Sequence, residues 1–563
     1  MKLDESTVPP AVEVHQRAPS RGQLRPNWLD IAIVLLLVCA TGLLFVTAPH
    51  EGDFWWSDAP RHAMDGVFYR DLASSLPLTH LRHWATDYYL QYPAITILFY
   101  PPGFALVEAI FFGFFGVSQA AAQLTVAAFL LTMACGAYFL SRRWLDRLGA
   151  FAVALLFIGT PGIAFWGRQV MLEIPAITFL IWSAYWFIRY LDSERARDLY
   201  LTAALLVAGV YTKQTIIFIL PVYALTLCYV YGKTILQRSE VWWSAAWFTA
   251  AIVPLMIFTW LWGQTNIQQS RGGDWVEYSR HSIGGWVYVA RQLPHQLGWI
   301  VLTLAVLYVA GSFLSTHWRL PGPALCFLLG WAGAGYLFFT VIALKEPRHS
   351  ILLIFPFVLF AVIAVIRALP NKAGGVVALM LAAGIFVHTA LTDAVPYVSG
   401  YRAAAQYLCS AAPPDSIVLF SGMRDGSFIF NVRSLPECKN ITVIRSDKLL
   451  LRVAVDREKF GVKELGVSED SFKDMLRDYG VRYVVLEPNF WSDLQSMQML
   501  VRVLHQDQFK LLTIIKVNSN RPHADRQLEI YQNTGGVSTN KNLLRIELPV
   551  SGITLEGKVG KTK

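Results

Sequence analysis

Charged residues are scarce in this chain of 563 residues, where Asp, Glu, Lys and Arg make up 15%. Soluble domains carry about a quarter, and this chain is instead 55% apolar with a mean hydropathy of +0.42. The composition excludes an ordinary soluble protein and indicates a polytopic α-helical membrane protein. The net charge of +9 does not indicate nucleic acid as a partner, because no basic cluster recurs with base-stacking aromatic residues.

Cysteine is also rare, with six residues in the whole chain. Four of them lie in apolar runs, where a small buried hydrophobic residue is the ordinary interpretation: Cys39, Cys135, Cys228 and Cys326. Cys409 and Cys438 lie in the polar C-terminal third. They form a disulfide if that region faces an oxidising compartment, and two unrelated buried thiols are the alternative.

Long apolar runs begin at Trp28, directly after a polar segment with three arginines. That excess of positive charge predicts a cytoplasmic N-terminus, and the first run, 28–48, is interpreted as a membrane anchor rather than a signal peptide. Further apolar runs occur near 97–117, 119–140, 149–166, 174–190, 199–212, 214–231, 242–262, 294–314, 321–343, 350–367 and 375–395.

The run 97–117 is predicted not to cross the membrane. Pro101-Pro102-Gly103 interrupts it, and the remaining stretch is shorter than the ~20 residues that a crossing needs. With this run excluded, most basic loops become cytoplasmic and about eleven transmembrane helices remain, with exoplasmic juxtamembrane helices between some of them. The exoplasmic side then carries the loop 49–118 and the C-terminus.

The predicted domains follow these changes in composition. They are a disordered cytoplasmic tail (1–27), a transmembrane module (28–395), an exoplasmic soluble α/β domain (396–551) and a disordered tail (552–563). In the α/β domain, strands are predicted at Ile417–Phe420, Phe428–Val432, Ile441–Ile444, Val481–Leu486, Leu511–Val517 and Leu528–Tyr531. Helices are predicted at Arg402–Leu408 and Asp470–Tyr479.

The first exoplasmic loop contains an unusual acidic and aromatic stretch, His50 to Leu76. Ser57 can cap a helix here, and Asp58, His62 and Asp65 would then share one face at positions i, i+4 and i+7. Carboxylates beside a membrane are costly unless they are paired, hydrated or functional. Asp58 is therefore predicted to be catalytic, with a carboxylate that merely favours the helix N-terminus as the alternative. For Asp65, the alternative is a place on a solvated helix face. His62 could bind a metal or a phosphate, and ordinary hydrogen bonding is the alternative.

Other charged residues lie at the exoplasmic ends of later spans. Glu173 is predicted to be catalytic, and a salt bridge to Arg168 is the alternative. Lys213 could bind a phosphate or reach the lipid headgroups. Arg348 could hold a phosphate by two hydrogen bonds, or anchor its helix at the membrane surface together with Lys345 and His349. Carboxylates and cations from distant loops thus meet on one membrane face, which suits a substrate with a lipid phosphate and a hydroxylated group.

These motifs, in this order, resemble the C-type (GT-C) membrane glycosyltransferases of the protein mannosyltransferase and aminoarabinose transferase superfamily. The matching segments are Ser57-Asp58-Ala59-Pro60-Arg61-His62-Ala63, Tyr100-Pro101-Pro102-Gly103, Glu173 before Pro175, Lys213, and Arg348-His349 before Pro356. Ala59 stands where the family commonly has a second acid, and the family's lysine before the two prolines is missing. The resemblance covers roughly residues 28 to 395.

The resemblance implies an enzyme that transfers a hexose or pentose from a polyprenyl phosphate to a hydroxyl-bearing glycan, lipid or protein, with inversion. Asp58 would be the general base. Lys213 and Arg348, with Lys345 and His349, would bind the donor phosphate, and His62, Asp65 and Arg61 are secondary candidates. Glu173 would position the acceptor, or join Asp58 in holding a divalent metal cation. An inner or plasma membrane of the bacterial type, and a cell envelope glycan as product, are expected.

The rival hypothesis is a transporter or flippase of lipid-linked or small polar substrates. Such proteins show paired, interrupted helices in two repeated halves, whereas this sequence has one interrupted segment and no repeat. A receptor or assembly factor would leave Asp58 and Glu173 without a role. Residues that select the sugar are expected in the loop 263–293, at Arg271, Asp274, Trp275 and Glu277.

Overall fold

The computed structural model describes residues 28–272, 276, 278–370, 372–453, 457–536, 543–548 and 552–558. The predicted N-terminal tail, 1–27, and three residues of the predicted sugar-selecting loop, Asp274, Trp275 and Glu277, lie outside the described residues. The described chain forms a helical module followed by a mixed α/β domain.

In the described part of the chain, seventeen α-helices form the helical module. They are α1 (Trp28–Val46), α2 (Asp58–Ser75), α3 (Leu81–Gln91), α4 (Gly103–Phe115), α5 (Gln119–Ser141), α6 (Arg147–Gly159), α7 (Pro161–Trp166), α8 (Glu173–Ser193), α9 (Ala196–Val210), α10 (Leu220–Tyr231), α11 (Ser239–Trp262), α12 (Gln264–Arg271), α13 (Ile283–Leu297), α14 (Trp299–Leu314), α15 (Gly322–Val341), α16 (Phe355–Ala368) and α17 (Ala373–Thr392). Short 3-10 helices occur at Gln214–Ile219, Gly232–Gln237, Thr316–Trp318 and Pro347–Leu353.

Seven helical segments among the described residues are long and apolar enough to cross a membrane, or up to nine if each of two bent pairs is one span. The bent pairs are α13 with α14, at 116°, and Pro347–Leu353 with α16, at 52°. The sequence predicts about eleven spans. Two of the apolar runs included in that number form the shorter helices α6, of 13 residues, and α9, of 15 residues. The chain is a multi-span membrane protein.

The first loop between spans folds into α2, α3 and α4. Helix α4 has 13 residues, too few to cross a bilayer, and it packs along α2. Gly66 makes this close approach possible, because a Cβ atom there would lie 2.6 Å from the Glu108 carboxylate. The loop therefore forms a helical layer beside the membrane helices.

The C-terminal domain is built on a five-stranded sheet with the order β3-β2-β6-β9-β7. Strand β2 pairs in parallel with β3 and with the central strand β6, and β9 pairs antiparallel with β6 and β7. The domain's strands are β1 (Val398–Ser399), β2 (Ile417–Ser421), β3 (Thr442–Arg445), β4 (Leu451–Arg452), β5 (Lys463–Glu464), β6 (Val481–Leu486), β7 (Phe509–Lys516), β8 (Asn518–Ser519), β9 (Gln527–Asn533), β10 (Leu543–Leu548) and β11 (Ile553–Lys558). Its helices are α18 (Tyr401–Ala411), α19 (Asp425–Ser434), α20 (Ser446–Leu450), α21 (Arg457–Phe460), α22 (Glu469–Asp478) and α23 (Gln495–Leu504), with a 3-10 turn at Pro436–Cys438.

Two predictions for this domain are wrong. The run Phe428–Val432 is part of helix α19 and not a strand. All five of its residues are buried, and a short buried apolar run fits a strand and a helix equally well. In the tail predicted to be disordered, 552–563, residues 553–558 instead form β11, which pairs antiparallel with β10, and 559–563 lie outside the described residues.

The two parts of the chain are joined at Asp53, whose buried carboxylate accepts hydrogen bonds from the backbone N–H groups of Gly400 (2.9 Å) and Tyr401 (3.0 Å). The Asn431 amide donates a further bond at 2.7 Å. Burial raises the pKa of Asp53 to about 7, although these donors oppose the shift. Cys409 and Cys438 form a disulfide nearby, between α18 and the turn after α19.

Candidate active site

Asp58 is the first residue of helix α2, in the favourable field of the helix N-terminus. Ser57 precedes it but makes no side-chain capping bond, contrary to the sequence prediction. The Asp58 side chain is 26% exposed and lines a large cavity. Burial favours its protonated form, yet the neighbouring Arg348 guanidinium, together with His62 and Arg61, outweighs burial and lowers the pKa of Asp58.

Glu173 is the first residue of helix α8, and its side chain is 1% exposed. Its Oε1 atom lies 2.7 Å from Lys213 Nζ and 3.7 Å from Arg348 Nε. The predicted alternative partner, Arg168, instead donates to backbone carbonyls, including that of Ala164 at 3.0 Å. The salt bridge to Arg168 is therefore not found, and Glu173 pairs with two cations from other loops.

Arg348 connects the two carboxylates. Its Nη1 atom donates to Asp58 Oδ2 at 3.0 Å, while its Nε atom faces Glu173 and contacts Glu346. We call these five residues, Asp58, Glu173, Lys213, Glu346 and Arg348, the ion-pair cluster. Among the described residues, the Glu173 Oε2 atom is buried without a hydrogen-bond partner. Since buried polar atoms are nearly always paired, this oxygen is open to a further donor.

A cavity of about 2290 Å³ lies between the helical module and the C-terminal domain. Asp58, Glu346 and Arg348 line it, together with Tyr100. Aromatic side chains from the first loop and from α7 also line it: Trp55, Trp56, Phe165 and Trp166. A cavity with apolar walls and a few charged groups is the usual form of a ligand site.

The secondary candidates on α2 are not on a solvated face. His62 and Asp65 are each 3% exposed. His62 packs against Tyr100, with the ring centroids 4.5 Å apart, and burial lowers its pKa to about 4. Asp65 accepts bonds from the backbone N (2.6 Å) and Oγ1 (2.7 Å) of Thr96, and burial raises its pKa to about 7. The solvated-face alternative for Asp65 is wrong, and this carboxylate instead fixes the loop at Thr96.

Three other predicted residues lie apart from the ion-pair cluster. Arg61 points toward the C-terminal domain and pairs with Asp425 at 3.1 Å. Lys345 donates to the carbonyls of Phe339 (3.0 Å) and Thr340 (2.5 Å), at the end of α15. Burial lowers the pKa of Lys345 to about 8.

His349 stacks on Phe339, with the ring centroids 6.4 Å apart. Neither Lys345 nor His349 lines the cavity, and Glu173 and Lys213 lie behind Arg348, which does line it. In the loop 263–293, Arg271 is exposed, and its carbonyl accepts a bond from Arg280. The structure therefore brings together Asp58, Glu173, Lys213 and Arg348, whereas Lys345, His349 and Arg271 lie apart from them.

Sequence reasoning missed the charged residues that the C-terminal domain contributes to the cavity. Four of them, Arg457, Glu458, Arg521 and Glu556, lie elsewhere along its lining, and the other five are Arg424, Asp425, Arg445, Asp447 and Lys448. Each of these five lies at or just after the end of a predicted strand, which is the one signal in the sequence that could have singled them out.

The described residues contain no group of three or more His, Cys, Asp or Glu side chains that could hold a metal ion. Asp58 and Glu173, the pair suggested for a metal, both face the Arg348 guanidinium. The positive charge between these two carboxylates is therefore supplied by the guanidinium of Arg348.

The fold is similar to the folds of two solved membrane proteins, ArnT and AglB. ArnT from Cupriavidus metallidurans bound to undecaprenyl phosphate superposes with a TM-score of 0.56 at 15% identity, covering 91% of this chain and 98% of ArnT. The archaeal oligosaccharyltransferase AglB from Archaeoglobus fulgidus, in complex with an inhibitory peptide and a dolichol-phosphate, superposes with a TM-score of 0.51 at 13% identity, covering 84% and 71%.

The family model of the dolichyl-phosphate-mannose-protein mannosyltransferases matches residues 100–262. No curated protein sequence matches the chain. The family match and the shared fold confirm the resemblance to the GT-C glycosyltransferases of the protein mannosyltransferase and aminoarabinose transferase superfamily.

Proposed function

We propose that this protein is an inverting glycosyltransferase that moves a hexose or pentose from a polyprenyl phosphate to a hydroxyl group of an acceptor. The observation that carries the proposal is the bridge from Arg348 to Asp58 and Glu173 at the wall of the cavity. It joins a partly exposed carboxylate, which can take a proton, to cations that can hold a phosphate.

The donor phosphate is assigned to Lys213 and Arg348. ArnT carries undecaprenyl phosphate in its structure and AglB a dolichol-phosphate, and a polyprenyl phosphate is the corresponding ligand here. Arg348 is the better phosphate ligand of the two because its planar guanidinium can donate two parallel hydrogen bonds. Binding a phosphate would draw Arg348 away from Asp58, which would then become a stronger base.

In the proposed reaction, Asp58 takes the proton from the acceptor hydroxyl as its oxygen attacks the anomeric carbon. A new glycosidic C–O bond forms while the bond from the anomeric carbon to the phosphate oxygen breaks. The electron pair of that bond stays on the phosphate, whose added charge Lys213 and Arg348 stabilise. Glu173 keeps both cations in place.

The reaction is proposed to occur on the exoplasmic face of an inner or plasma membrane, with the N-terminus cytoplasmic and a cell envelope glycan, lipid or protein as acceptor.

Asp58→Asn tests the proposal in purified full-length protein. A general base contributes roughly 10²- to 10⁴-fold to a rate, so transfer from a set of polyprenyl-phosphate hexoses and pentoses should fall by that factor. Binding of undecaprenyl phosphate should persist. Glu51→Gln is a matched control, because Glu51 is an exposed acid of the same loop.

Two outcomes would reject the proposal. One is full transfer activity in Asp58→Asn, and the other is translocation of a lipid-linked substrate by wild-type protein that never transfers a sugar. The latter would favour the transporter hypothesis. If transfer is observed, mass spectrometry of the lipid-linked sugars that accumulate in cells without the protein would identify the donor.

A further inference from the structure

The cavity has a second charged wall, which the proposed reaction does not use. It lies at the carboxyl ends of the parallel strands β2 and β3, the position where open α/β sheets commonly bind ligands. Arg424 and Asp425 follow β2, whereas Arg445 ends β3 and Asp447 and Lys448 follow it. All five line the cavity, and we call them the domain edge.

The domain edge is a connected and largely buried network. Asp425 lies 2.7 Å from Arg445, and Asp447 lies 2.8 Å from the same guanidinium. The side chains of both carboxylates are 7% exposed. Arg61 of helix α2 adds a fourth cation to the three of the domain edge, 3.1 Å from Asp425. Because the two carboxylates are already paired, they hold the arginines in fixed positions.

Two cations of the edge are left with little or no pairing. Lys448 Nζ lies 3.7 Å from its nearest carboxylate, Asp447. Arg424 forms no salt bridge within the described part of the chain, and its Nε atom is buried without a hydrogen-bond partner there. Its guanidinium lies over the Trp55 ring, 4.4 Å from the centroid, and donates to the Trp55 carbonyl. Glu487 lies behind Arg424, and burial raises the pKa of this carboxyl to about 7.

The edge therefore carries excess positive charge beside aromatic surfaces. Phe490 and Trp491 stack on each other, with centroids 4.6 Å apart, and both line the cavity with Trp55. Trp491 is held at a φ of 47°, a backbone conformation that is strained for a bulky residue. Cations next to flat apolar rings suit a molecule that has both an anionic group and sugar rings.

We propose that the domain edge is a second subsite, which binds an anionic group, phosphate or carboxylate, on a non-reacting part of a glycan-bearing acceptor. Arg424 and Lys448 bind the anion, and the aromatic side chains contact the sugar rings. The assignment of this ligand as the acceptor rests on the proposed glycosyl transfer, whereas the anion subsite itself does not.

The test measures binding of small probes to full-length protein in nanodiscs of zwitterionic lipid. The probes are glucose, glucose 6-phosphate and glucuronic acid, so that phosphate and carboxylate are distinguished. Glucose 6-phosphate or glucuronic acid should bind at least about fivefold more tightly than glucose. Arg424→Gln and Lys448→Gln should each weaken the anionic probe about tenfold, the factor expected when a charge-assisted hydrogen bond is lost. Lys510→Gln is the control, since Lys510 is an exposed cation of the same domain outside the cavity.

Undecaprenyl phosphate separates this inference from the proposed function. Its affinity should be unchanged in Arg424→Gln and Lys448→Gln and should fall in Lys213→Gln. If the anionic sugar loses affinity only in Lys213→Gln, the anion binds in the donor site and the inference is wrong. Equal binding of all three probes would also overturn it. If the edge variants behave as expected but wild-type protein does not bind undecaprenyl phosphate, the subsite stands and the proposed donor is wrong.

Discussion

The two charged walls of the cavity use the same residue types in different ways. In the ion-pair cluster, the carboxylates Asp58 and Glu173 begin two helices and share one guanidinium, and one Glu173 oxygen is left unpaired. At the domain edge, Asp425 and Asp447 share Arg445, and the excess charge is positive. The first wall keeps carboxylate oxygens open, which suits proton transfer. The second keeps cations open, which suits holding an anion.

Arg348→Gln should break the first wall and produce the largest effect. It removes a charge-assisted bond to the donor phosphate, worth about 1.5–3 kcal/mol, so affinity for undecaprenyl phosphate should fall about 10- to 100-fold. Transfer should fall by roughly 10²- to 10³-fold, because the leaving phosphate also loses stabilisation. Arg348→Lys should recover part of the affinity, since it keeps the charge without the two-point geometry.

Lys448→Gln is the matched change on the second wall and should leave undecaprenyl phosphate binding unaltered. Binding can be followed by the quenching of tryptophan fluorescence, because Trp55 and Trp56 line the cavity. Equal loss of donor affinity in both variants would mean that the walls do not have separate tasks.

The first wall could be anticipated from the sequence because each of its residues lies at the end of an apolar run. Counting basic loops and excluding the run 97–117 puts Asp58, Glu173, Lys213 and Arg348 on one membrane face. The sequence cannot tell which of these ions pair. Arg348 pairs with Asp58 across 290 positions of chain, whereas its neighbour Lys345 is used at the end of α15.

The second wall could not be anticipated, although most strands of its domain could. Its position depends on how the domain packs on the first loop, through contacts such as that of Asp53 with Gly400, 347 positions apart. One buried run, Phe428–Val432, fits a strand and a helix alike, so the sequence pattern also leaves the element after β2 undecided.

Removing the disulfide should weaken the second wall and spare the first. Cys409 and Cys438 are 29 positions apart, and closing a loop of that length in the unfolded chain is worth about 3 kcal/mol. The double variant Cys409→Ser/Cys438→Ser should therefore show a lower midpoint of thermal unfolding for the C-terminal domain. Undecaprenyl phosphate binding should remain. Cys39→Ser in helix α1 is the control, and an unchanged midpoint in the double variant would contradict the expectation.

Asp53→Ala should weaken the contact between the helical module and the C-terminal domain, and with it the relative placement of the two walls. The variant leaves the buried N–H groups of Gly400 and Tyr401 without their acceptor, at a cost of about 2 kcal/mol. Hydrogen exchange at residues 400–402 should increase, while exchange within the membrane helices stays the same. The exposed Glu51→Gln change, two residues earlier, should leave both unaltered. Unchanged hydrogen exchange at residues 400–402 in Asp53→Ala would show that Asp53 does not stabilise this contact.

The smallest expected effect is a dependence of stability on pH. It follows from a comparison of the buried carboxyl groups next to the two walls, Glu173 and Glu487. Glu173 lies against two cations, whereas Glu487 accepts bonds from the Tyr401 hydroxyl (2.5 Å) and the Met423 N–H (2.9 Å). Burial raises the pKa of Glu487 to about 7, above its ordinary value of 4.5. Between these two values the folded protein holds a proton that the unfolded chain has released, so stability falls as the pH rises and levels off above about 7.

The unfolding midpoint of the C-terminal domain should therefore be higher at pH 5 than at pH 8. Glu487→Gln should reduce this difference, because glutamine stays neutral and keeps an acceptor oxygen for Tyr401 or Met423. The reduction should be partial, since Asp53 has its pKa raised to about 7 as well. The Glu437→Gln variant, which changes an exposed acid of the same domain, should follow the wild type. An undiminished pH difference in Glu487→Gln would mean that this carboxyl is ionised in the folded domain across the whole range, as a carboxylate paired with a cation would be.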